Sequence, residues 1–356
     1  MNRMSAGKDV LPMETMRLGR TNIQAFRSGF GALPVQRVPM ADAVKLLRGA
    51  FAGGFNFFDT ARAYTDSEEK LGAAFSDVRR QIYIATKSPS TDRAGVLRDI
   101  DVSLGKLKTD YVDILQLHNP SALPNPQDPE SSYQGLLEAR WQGKTRFIGI
   151  TCHRLDNALA AARSGLYDTV QFPLSSLSSD ADLELPAVCR EHDIGLIGMK
   201  GLSGGLITNA ASTFAFLRQY DNVLPIWGIQ RERELLEFLE FEKHPPVLDD
   251  ALRAVIERDR RELTGEFCRG CGYCLPCPAD IDIPTAARMS LLLRRSPYQH
   301  FIQDDFSQKM QRIENCIHCN HCKEHCPYHL DTPNLLQKML ADYRSFREEY
   351  RAEIVR

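Results

Sequence analysis

Short apolar runs alternate with amphipathic stretches through the first two-thirds of the chain. Eight of these runs are predicted strands, at residues 27–34, 56–61, 81–87, 111–118, 145–152, 167–174, 194–200 and 222–229. The stretches between them place apolar residues at helical spacing, most clearly at 39–54, 67–78, 93–107, 131–143, 155–165 and 182–192. The runs are continuous rather than alternating, which is typical of strands buried on both faces of a parallel sheet.

Strands that alternate with helices in this way predict an α/β fold, a (β/α)8 TIM barrel. The rival is an open doubly wound sheet, which needs a glycine-rich phosphate turn after its first strand, and none follows residues 27–34. We predict an N-terminal extension at 1–15, the barrel at 16–245, a connecting helix at 246–266 and a small α-helical domain at 267–356.

Composition and charge exclude several classes of partner. Hydrophobic residues make up 43% and charged residues 25% of the chain, and the formal net charge of −2 indicates neither a nucleic acid nor a membrane partner. The opening residues lack the apolar segment of a secretory signal, and no apolar run approaches the roughly 18 residues that span a bilayer. We therefore expect a cytoplasmic protein whose cysteines are reduced.

Ionisable residues stand where the second, third and fourth predicted strands end. Asp59, Lys87 and His118 each follow an apolar run, and Tyr64 lies five residues after Asp59. In a TIM barrel these strand ends share one face, where the chemistry takes place. We expect the Lys87 ammonium to lower the pKa of Tyr64, and Asp59 to hold Lys87 charged. The set suits protonation of a carbonyl oxygen by Tyr64, with His118 hydrogen-bonded to that oxygen.

These segments resemble the Asp, Tyr, Lys and His signature of the aldo-keto reductase family. The resemblance runs from about Met16 to Glu240. It implies a TIM-barrel enzyme that reduces a small aldehyde or ketone with NADPH. By the same resemblance Tyr64 is the proton donor, Asp59 and Lys87 tune it, and His118 orients the carbonyl.

The resemblance also implies cofactor contacts after the later strands. The residues that match are Thr151, Gln171, Lys200, Gly201, Leu202, Gly228, Gln230 and Arg231. A helix that opens near Arg231 would suit the adenosine phosphate, so we expect NADP rather than NAD. Two sites depart from the family pattern. Thr151-Cys152-His153 stands where many members have a Ser-Asn pair that holds the carboxamide, and Phe238 replaces an asparagine that usually contacts adenine.

Eight of the ten cysteines form two runs in the C-terminal part. The first run contains Cys268, Cys271, Cys274 and Cys277, and the second contains Cys316, Cys319, Cys322 and Cys326. The second run has the bacterial ferredoxin spacing C-x2-C-x2-C-x3-C-P, in which the fourth cysteine commonly ligates the other cluster. The first run is one residue shorter before its last cysteine.

The two runs therefore predict two 4Fe-4S clusters with exchanged fourth ligands. One cluster takes Cys268, Cys271, Cys274 and Cys326, and the other takes Cys316, Cys319, Cys322 and Cys277. Zinc and disulfides are the alternatives. Because 283–311 and 332–356 have largely helical patterns, the module resembles an α-helical two-cluster ferredoxin. The whole chain resembles aldo-keto reductases with a C-terminal 4Fe-4S domain.

Three functions are compatible with these motifs. The first is an NADP-dependent carbonyl reductase. The second is an electron-transfer oxidoreductase whose barrel is coupled through the clusters to a partner ferredoxin or a flavin. Hydride carries two electrons and each cluster accepts one, so direct exchange between them would need a splitter such as a flavin. No short motif in the sequence indicates a flavin. The third is a non-enzymatic cluster-bearing sensor or scaffold, which the complete set of four polar residues disfavours.

Overall fold

A computed structural model describes residues 14–263, 267–270, 272, 274–295, 298–326, 328–351 and 354. The strands are β1 (Thr15–Arg17), β2 (Gln24–Phe26), β3 (Gly29–Gly31), β4 (Phe57–Asp59), β5 (Tyr83–Ser88), β6 (Val112–His118), β7 (Thr145–Thr151), β8 (Thr169–Pro173), β9 (Gly195–Met199) and β10 (Val223–Gly228). β3 to β10 form a closed parallel barrel, in chain order around the ring, with β10 beside β3. The predicted TIM barrel is confirmed.

β1 and β2 form an antiparallel pair that packs at the amino ends of the barrel strands. Met16 and Ile23 from this segment share a core cluster with Phe57 and Ile114. The Arg20 amide also donates to the carbonyl of Asp193, just before β9. β1 begins at Thr15, which is within the segment predicted as an extension. The hairpin covers the amino end, so the candidate site lies at the opposite, carboxyl end of the barrel strands.

Eight helices accompany the barrel strands. They are α1 (Met40–Ala52), α2 (Ser67–Phe75), α3 (Arg93–Leu107), α4 (Ser132–Trp141), α5 (Leu155–Arg163), α6 (Leu185–Glu191), α7 (Ala210–Leu217) and α8 (Glu232–Lys243). Side-chain caps set two of the starts, since Asp92 accepts from the Gly95 amide and Ser131 from the Gln134 amide.

The chain divides into two units. The first holds 1–174, 178–201 and 214–247, and the second holds 175–177, 202–213 and 248–356. The second unit thus includes the loops that follow β8 and β9 in the chain, besides the cysteine-rich segment. None of the helices in the described ranges is long and apolar enough to cross a membrane.

Helices build the second unit. They are α9 (Asp250–Glu262), α10 (Ile283–Ala286), α11 (Met289–Arg295), α12 (Asp304–Gln311), α13 (His321–Glu324) and α14 (Thr332–Glu349). The second unit has its own hydrophobic core, to which α14 contributes Leu336 and Tyr343. Cys268, Cys274 and Cys322 belong to the same core. The helical character predicted for this segment is confirmed.

Candidate functional site

A buried ion pair joins the carboxyl ends of β4 and β5. The Lys87 Nζ donates to both carboxylate oxygens of Asp59, at 2.7 and 2.6 Å, and to the Thr60 carbonyl at 2.7 Å. Both side chains are almost inaccessible to solvent. Burial raises the pKa of Asp59, and the charge and hydrogen bonds of Lys87 oppose that rise. The three ammonium donors of Lys87 therefore have partners, which holds this side chain in one place.

Tyr64 stands over this ion pair. The Lys87 Nζ lies 5.1 Å from the centroid of the Tyr64 ring. Burial raises the pKa of Tyr64, whereas the positive charge of Lys87 acts in the opposite direction. The expectation of a lowered pKa was wrong, because burial of the phenol outweighs the ammonium. Tyr64 is thus held in its protonated form, which is the form a proton donor needs.

His118 completes the group at the end of β6. Its ring meets that of Tyr64 edge to face, with centroids 5.6 Å apart. Burial, together with the positive charges of Lys87 and Lys200, lowers the pKa of His118 to about 3. The imidazole is therefore neutral near pH 7 and can hydrogen-bond a carbonyl oxygen without carrying a charge. The structure brings all four predicted residues together.

A chain of amides inside the barrel was missed by the sequence analysis. Gln116, two residues before His118 on β6, donates from Nε2 to the Gln171 Oε1 at 2.9 Å. The Thr151 hydroxyl lies 3.4 Å from the Gln116 Oε1. The two glutamines also act with Lys87 against the rise that burial causes in the pKa of Asp59. The inward alternation of β6, which places Gln116 and His118 on one face, is the signal that could have revealed it.

The residues after β7 have little acid-base chemistry of their own. Burial raises the pKa of Cys152 to about 12, so its thiol is a poor nucleophile at neutral pH. Burial also lowers the pKa of His153 well below its usual value, and Lys200 adds to this effect. The His153 amide donates to Asn119 at 2.7 Å, which ties this loop to the end of β6.

The loop predicted to meet the pyrophosphate has an unusual backbone. Lys200 (φ +59°) and Ser203 (φ +49°) are left-handed, as are the glycines that follow Ser203. Leu202 (φ −94°), followed by the left-handed Ser203, gives the right-handed and left-handed pair that turns successive backbone N–H groups toward one side, as in anion-binding nests. Gly201 packs so closely on Trp227 that a Cβ would lie 2.6 Å from the indole. This backbone fits the predicted role of Lys200, Gly201 and Leu202.

The start of α8 differs from the expectation for a phosphate site. The Glu234 carboxylate accepts from the amides of Gln230 at 2.9 Å and Arg231 at 3.1 Å. Gln230 and Arg231 are predicted, together with Gly228, to meet a phosphate, and their backbone N–H groups already hold an internal carboxylate. Phe238 stacks on Trp227 with centroids 4.5 Å apart and is buried, so its ring is part of the core.

Five cysteines of the second unit line one cavity. They are Cys274, Cys277, Cys316, Cys319 and Cys322. Cys277 of the first run therefore lies with the first three cysteines of the second, and Cys274, which is predicted to ligate the other cluster, lines the same cavity. Thiolates are the ligands that hold Fe–S clusters, so the residues present fit such a group.

The first cysteine run is described only in part. Cys271 lies outside the described residues. The Gly270 amide donates to the Cys268 Sγ at 3.3 Å. Among the described side chains, no three Cys, His, Asp or Glu residues form a group that could hold a single metal ion.

Family models match both units of the chain. Residues 25–237 match the aldo/keto reductase family, and residues 267–331 match a 4Fe-4S dicluster domain. The chain therefore belongs to the aldo/keto reductase family. It is an oxidoreductase that carries a C-terminal 4Fe-4S domain.

Curated proteins resemble part of this chain. An L-galactose dehydrogenase of Arabidopsis thaliana is 34% identical over 215 residues, which are 55% of this chain and 67% of that protein. The methylglyoxal reductase DkgB of Escherichia coli O157:H7 is 32% identical over 171 residues, 46% of this chain and 62% of the relative. The chain thus spans about two-thirds of the length of these relatives.

Solved structures show the same fold. An aldo-keto reductase from Klebsiella pneumoniae in complex with NADPH has a TM-score of 0.60 and 20% identity, covering 70% of this chain and 95% of the other. The holo form of an aldo-keto reductase from Bacillus halodurans has a TM-score of 0.59 and 18% identity, covering 69% and 96%.

Proposed function

We propose that the barrel is an NADP(H)-dependent carbonyl reductase in which Tyr64 donates the proton. The observation that carries this proposal is the group formed by Tyr64, the Lys87–Asp59 ion pair and a neutral His118 at one end of the barrel. When it is bound, NADPH supplies a hydride to the carbonyl carbon. The substrate class is a small aldehyde or ketone, in keeping with relatives named for a sugar and for methylglyoxal.

The chain's own residues divide the proton chemistry. His118 donates a hydrogen bond to the carbonyl oxygen and holds it near the Tyr64 hydroxyl. Tyr64 passes its proton to that oxygen as negative charge develops there. Lys87 stabilises the phenolate that remains, and Asp59 keeps the ammonium in position.

For the cofactor we propose the predicted set of contacts. Thr151 and Gln171 would meet the nicotinamide amide, and the loop from Lys200 to Leu202 would meet the pyrophosphate. Gly228, Gln230 and Arg231 would lie at the adenosine phosphate. That last contact requires the Glu234 carboxylate to release two backbone amides. The preference for NADP over NAD therefore requires a separate measurement.

In the second unit we propose two 4Fe-4S clusters with the exchanged fourth ligands predicted from the sequence. The cavity that groups Cys277 with Cys316, Cys319 and Cys322 supports one of these sites. For the first site we propose Cys268, Cys271, Cys274 and Cys326. An exchange of ligands would bind the two cysteine runs together.

Coupling of the clusters to the barrel is the second candidate function. It is favoured by the presence of an aldo/keto reductase barrel and a 4Fe-4S dicluster domain on one chain. Anaerobic mixing of the protein with NADPH, followed by EPR, tests it. Reduced clusters within one turnover would support the coupling, and clusters that stay oxidised would refute it.

Replacing Tyr64 by phenylalanine tests the proposed reductase. The variant keeps the ring but lacks the proton, so carbonyl reduction should fall by about 10²–10⁴-fold. The assay follows NADPH oxidation with short aldehydes, and iron content and the EPR spectrum serve as controls. Unchanged reduction by Tyr64→Phe with intact clusters would remove Tyr64 from the mechanism.

A further inference from the structure

Gln116 occupies a place between the proposed acid and the proposed cofactor contacts. It is fully buried in the barrel. Its backbone pairs with Lys87 on β5 and with Gly149 on β7. Gly149 has no side chain, and a Cβ there would lie 3.1 Å from the Gln116 Cγ. The glycine thus leaves room for the Gln116 side chain to reach past β7 to Gln171 on β8.

The hydrogen bonds of Gln116 run in two directions. Its amide nitrogen donates to the Gln171 Oε1 at 2.9 Å. With its oxygen facing Gln116, Gln171 can use its own Nε2 elsewhere, and that atom lies 3.7 Å from the Met199 sulfur. The Gln116 oxygen in turn faces the Thr151 hydroxyl. One side chain therefore bonds to both residues proposed to meet the nicotinamide amide.

We propose that Gln116 is a positioning residue that sets the orientation of Gln171 for the cofactor. The inference rests on the proposed function, because it assigns a role relative to the same cofactor. Nothing in the family resemblance pointed to Gln116.

On the cofactor side the role is one of amide orientation. An amide side chain has a donor end and an acceptor end, and a fixed donor on Gln116 selects which end of Gln171 is left for a ligand. Without that donor, Gln171 can rotate. A cofactor carboxamide would then meet a mixture of donor and acceptor, and binding would weaken.

Two variants test the role in the full-length protein with its clusters. Gln116→Met removes both polar ends at similar length, and Gln116→Glu keeps the shape but loses the donor. Ile114→Val, which changes packing on the same face of β6, is the matched control. Titration calorimetry with NADP⁺ should show affinity about 5- to 10-fold weaker for both Gln116 variants and unchanged for the control.

The split between KM and kcat provides the second readout. KM for NADPH should rise in both Gln116 variants while kcat stays near that of the unaltered protein, and neither should change for Ile114→Val. Wild-type NADP⁺ affinity and a wild-type KM in both folded variants would overturn the inference. If the unaltered protein reduced no carbonyl, the proposed function would fail, and the calorimetry would still decide whether Gln116 orients a cofactor contact. If Gln116→Met does not fold, Gln116→Glu carries the test.

Discussion

Burial decides the protonation of the residues around the Lys87 ammonium. Lys87 is itself fully bonded to Asp59 and Thr60. Tyr64 keeps its proton because burial disfavours the phenolate, and His118 stays neutral because burial and two lysines disfavour the imidazolium. The site therefore combines a protonated phenol with an uncharged imidazole, although a cation lies beside both.

The lowered pKa of His118 predicts a loss of stability in acid. The pKa is about 3 in the folded chain, against an ordinary value of 6.5 for histidine. Between these values the unfolded chain binds a proton that the folded chain does not, so the free energy of unfolding falls as pH decreases below 6.5. Urea denaturation from pH 7 to pH 5, followed by tryptophan fluorescence, should show this fall.

A His118→Asn variant should lose less stability over the same pH interval. His192, whose backbone carbonyl accepts from Arg20 at the amino end of the barrel, offers the control substitution His192→Asn. Equal pH slopes for His118→Asn and the unaltered protein would contradict the assignment.

At the scale of elements, turns and helix ends determine what each loop can bind. Glu234 occupies the amides at the start of α8, as a carboxylate commonly does at a helix N-terminus. Gly270, next to the first cysteine run, is left-handed (φ +65°) and its amide donates to Cys268. Substitutions of Glu234 and Gly270 test the role of each position.

Replacing Glu234 by glutamine should favour NADPH. The substitution removes a negative charge that competes with a phosphate for the same amides, so KM for NADPH should fall about 5-fold, within the range of a charge-assisted hydrogen bond. KM for NADH should change little, because NADH lacks the additional phosphate. Steady-state kinetics with both cofactors provide the measurement. Glu237→Gln, one turn along the exposed face of α8, is the control, and an unchanged NADPH preference in Glu234→Gln would argue against a phosphate there.

Replacing Gly270 by alanine should impair the first cluster site. A Cβ at this position would lie 3.0 Å from the Arg288 guanidinium carbon, and the left-handed backbone adds strain. We expect less iron and sulfide per chain than in the unaltered protein. Gly272→Ala is the matched control, since Gly272 is also left-handed (φ +87°) but has nothing within 4 Å of a built Cβ. Equal iron loss in the two variants would assign the effect to backbone strain alone.

The whole molecule has a separate hydrophobic core in each of its two units. The core of the second unit contains Cys268, Cys274 and Cys322, which are proposed ligands. Binding of a metal centre to residues of a core contributes to folding. The stability of this unit should therefore depend on iron, whereas that of the barrel should not.

Removal of the clusters by a chelator under oxidising conditions should expose this difference. Calorimetry should show that the transition of the second unit is lost or moved to lower temperature, while the barrel transition stays within a few degrees. Anaerobic reconstitution with iron and sulfide is the control and should restore the calorimetric profile of the untreated protein. A barrel transition that falls together with the second would refute independent folding of the units.

Local patterns carry enough information for the architecture of this chain. Eight apolar runs and the helices between them predict the barrel, because strands buried on both faces must be apolar along their length. The four polar residues at strand ends and the two cysteine runs are equally local, since each depends on spacing along the chain. α7 was missed because its sequence, Ala210–Leu217, is too uniformly apolar to show a helical period.

The charges and partners inside the site were decided by tertiary structure. Burial reversed the expected direction of the pKa shift of Tyr64, and burial is a property of the folded chain. The bond from Gln116 to Gln171 joins residues 55 positions apart, and only closure of the barrel brings β6 and β8 within reach of one side chain. Sequence alone thus determined which chemical groups stand at the strand ends, while folding determined which of them are charged and which are bonded to one another.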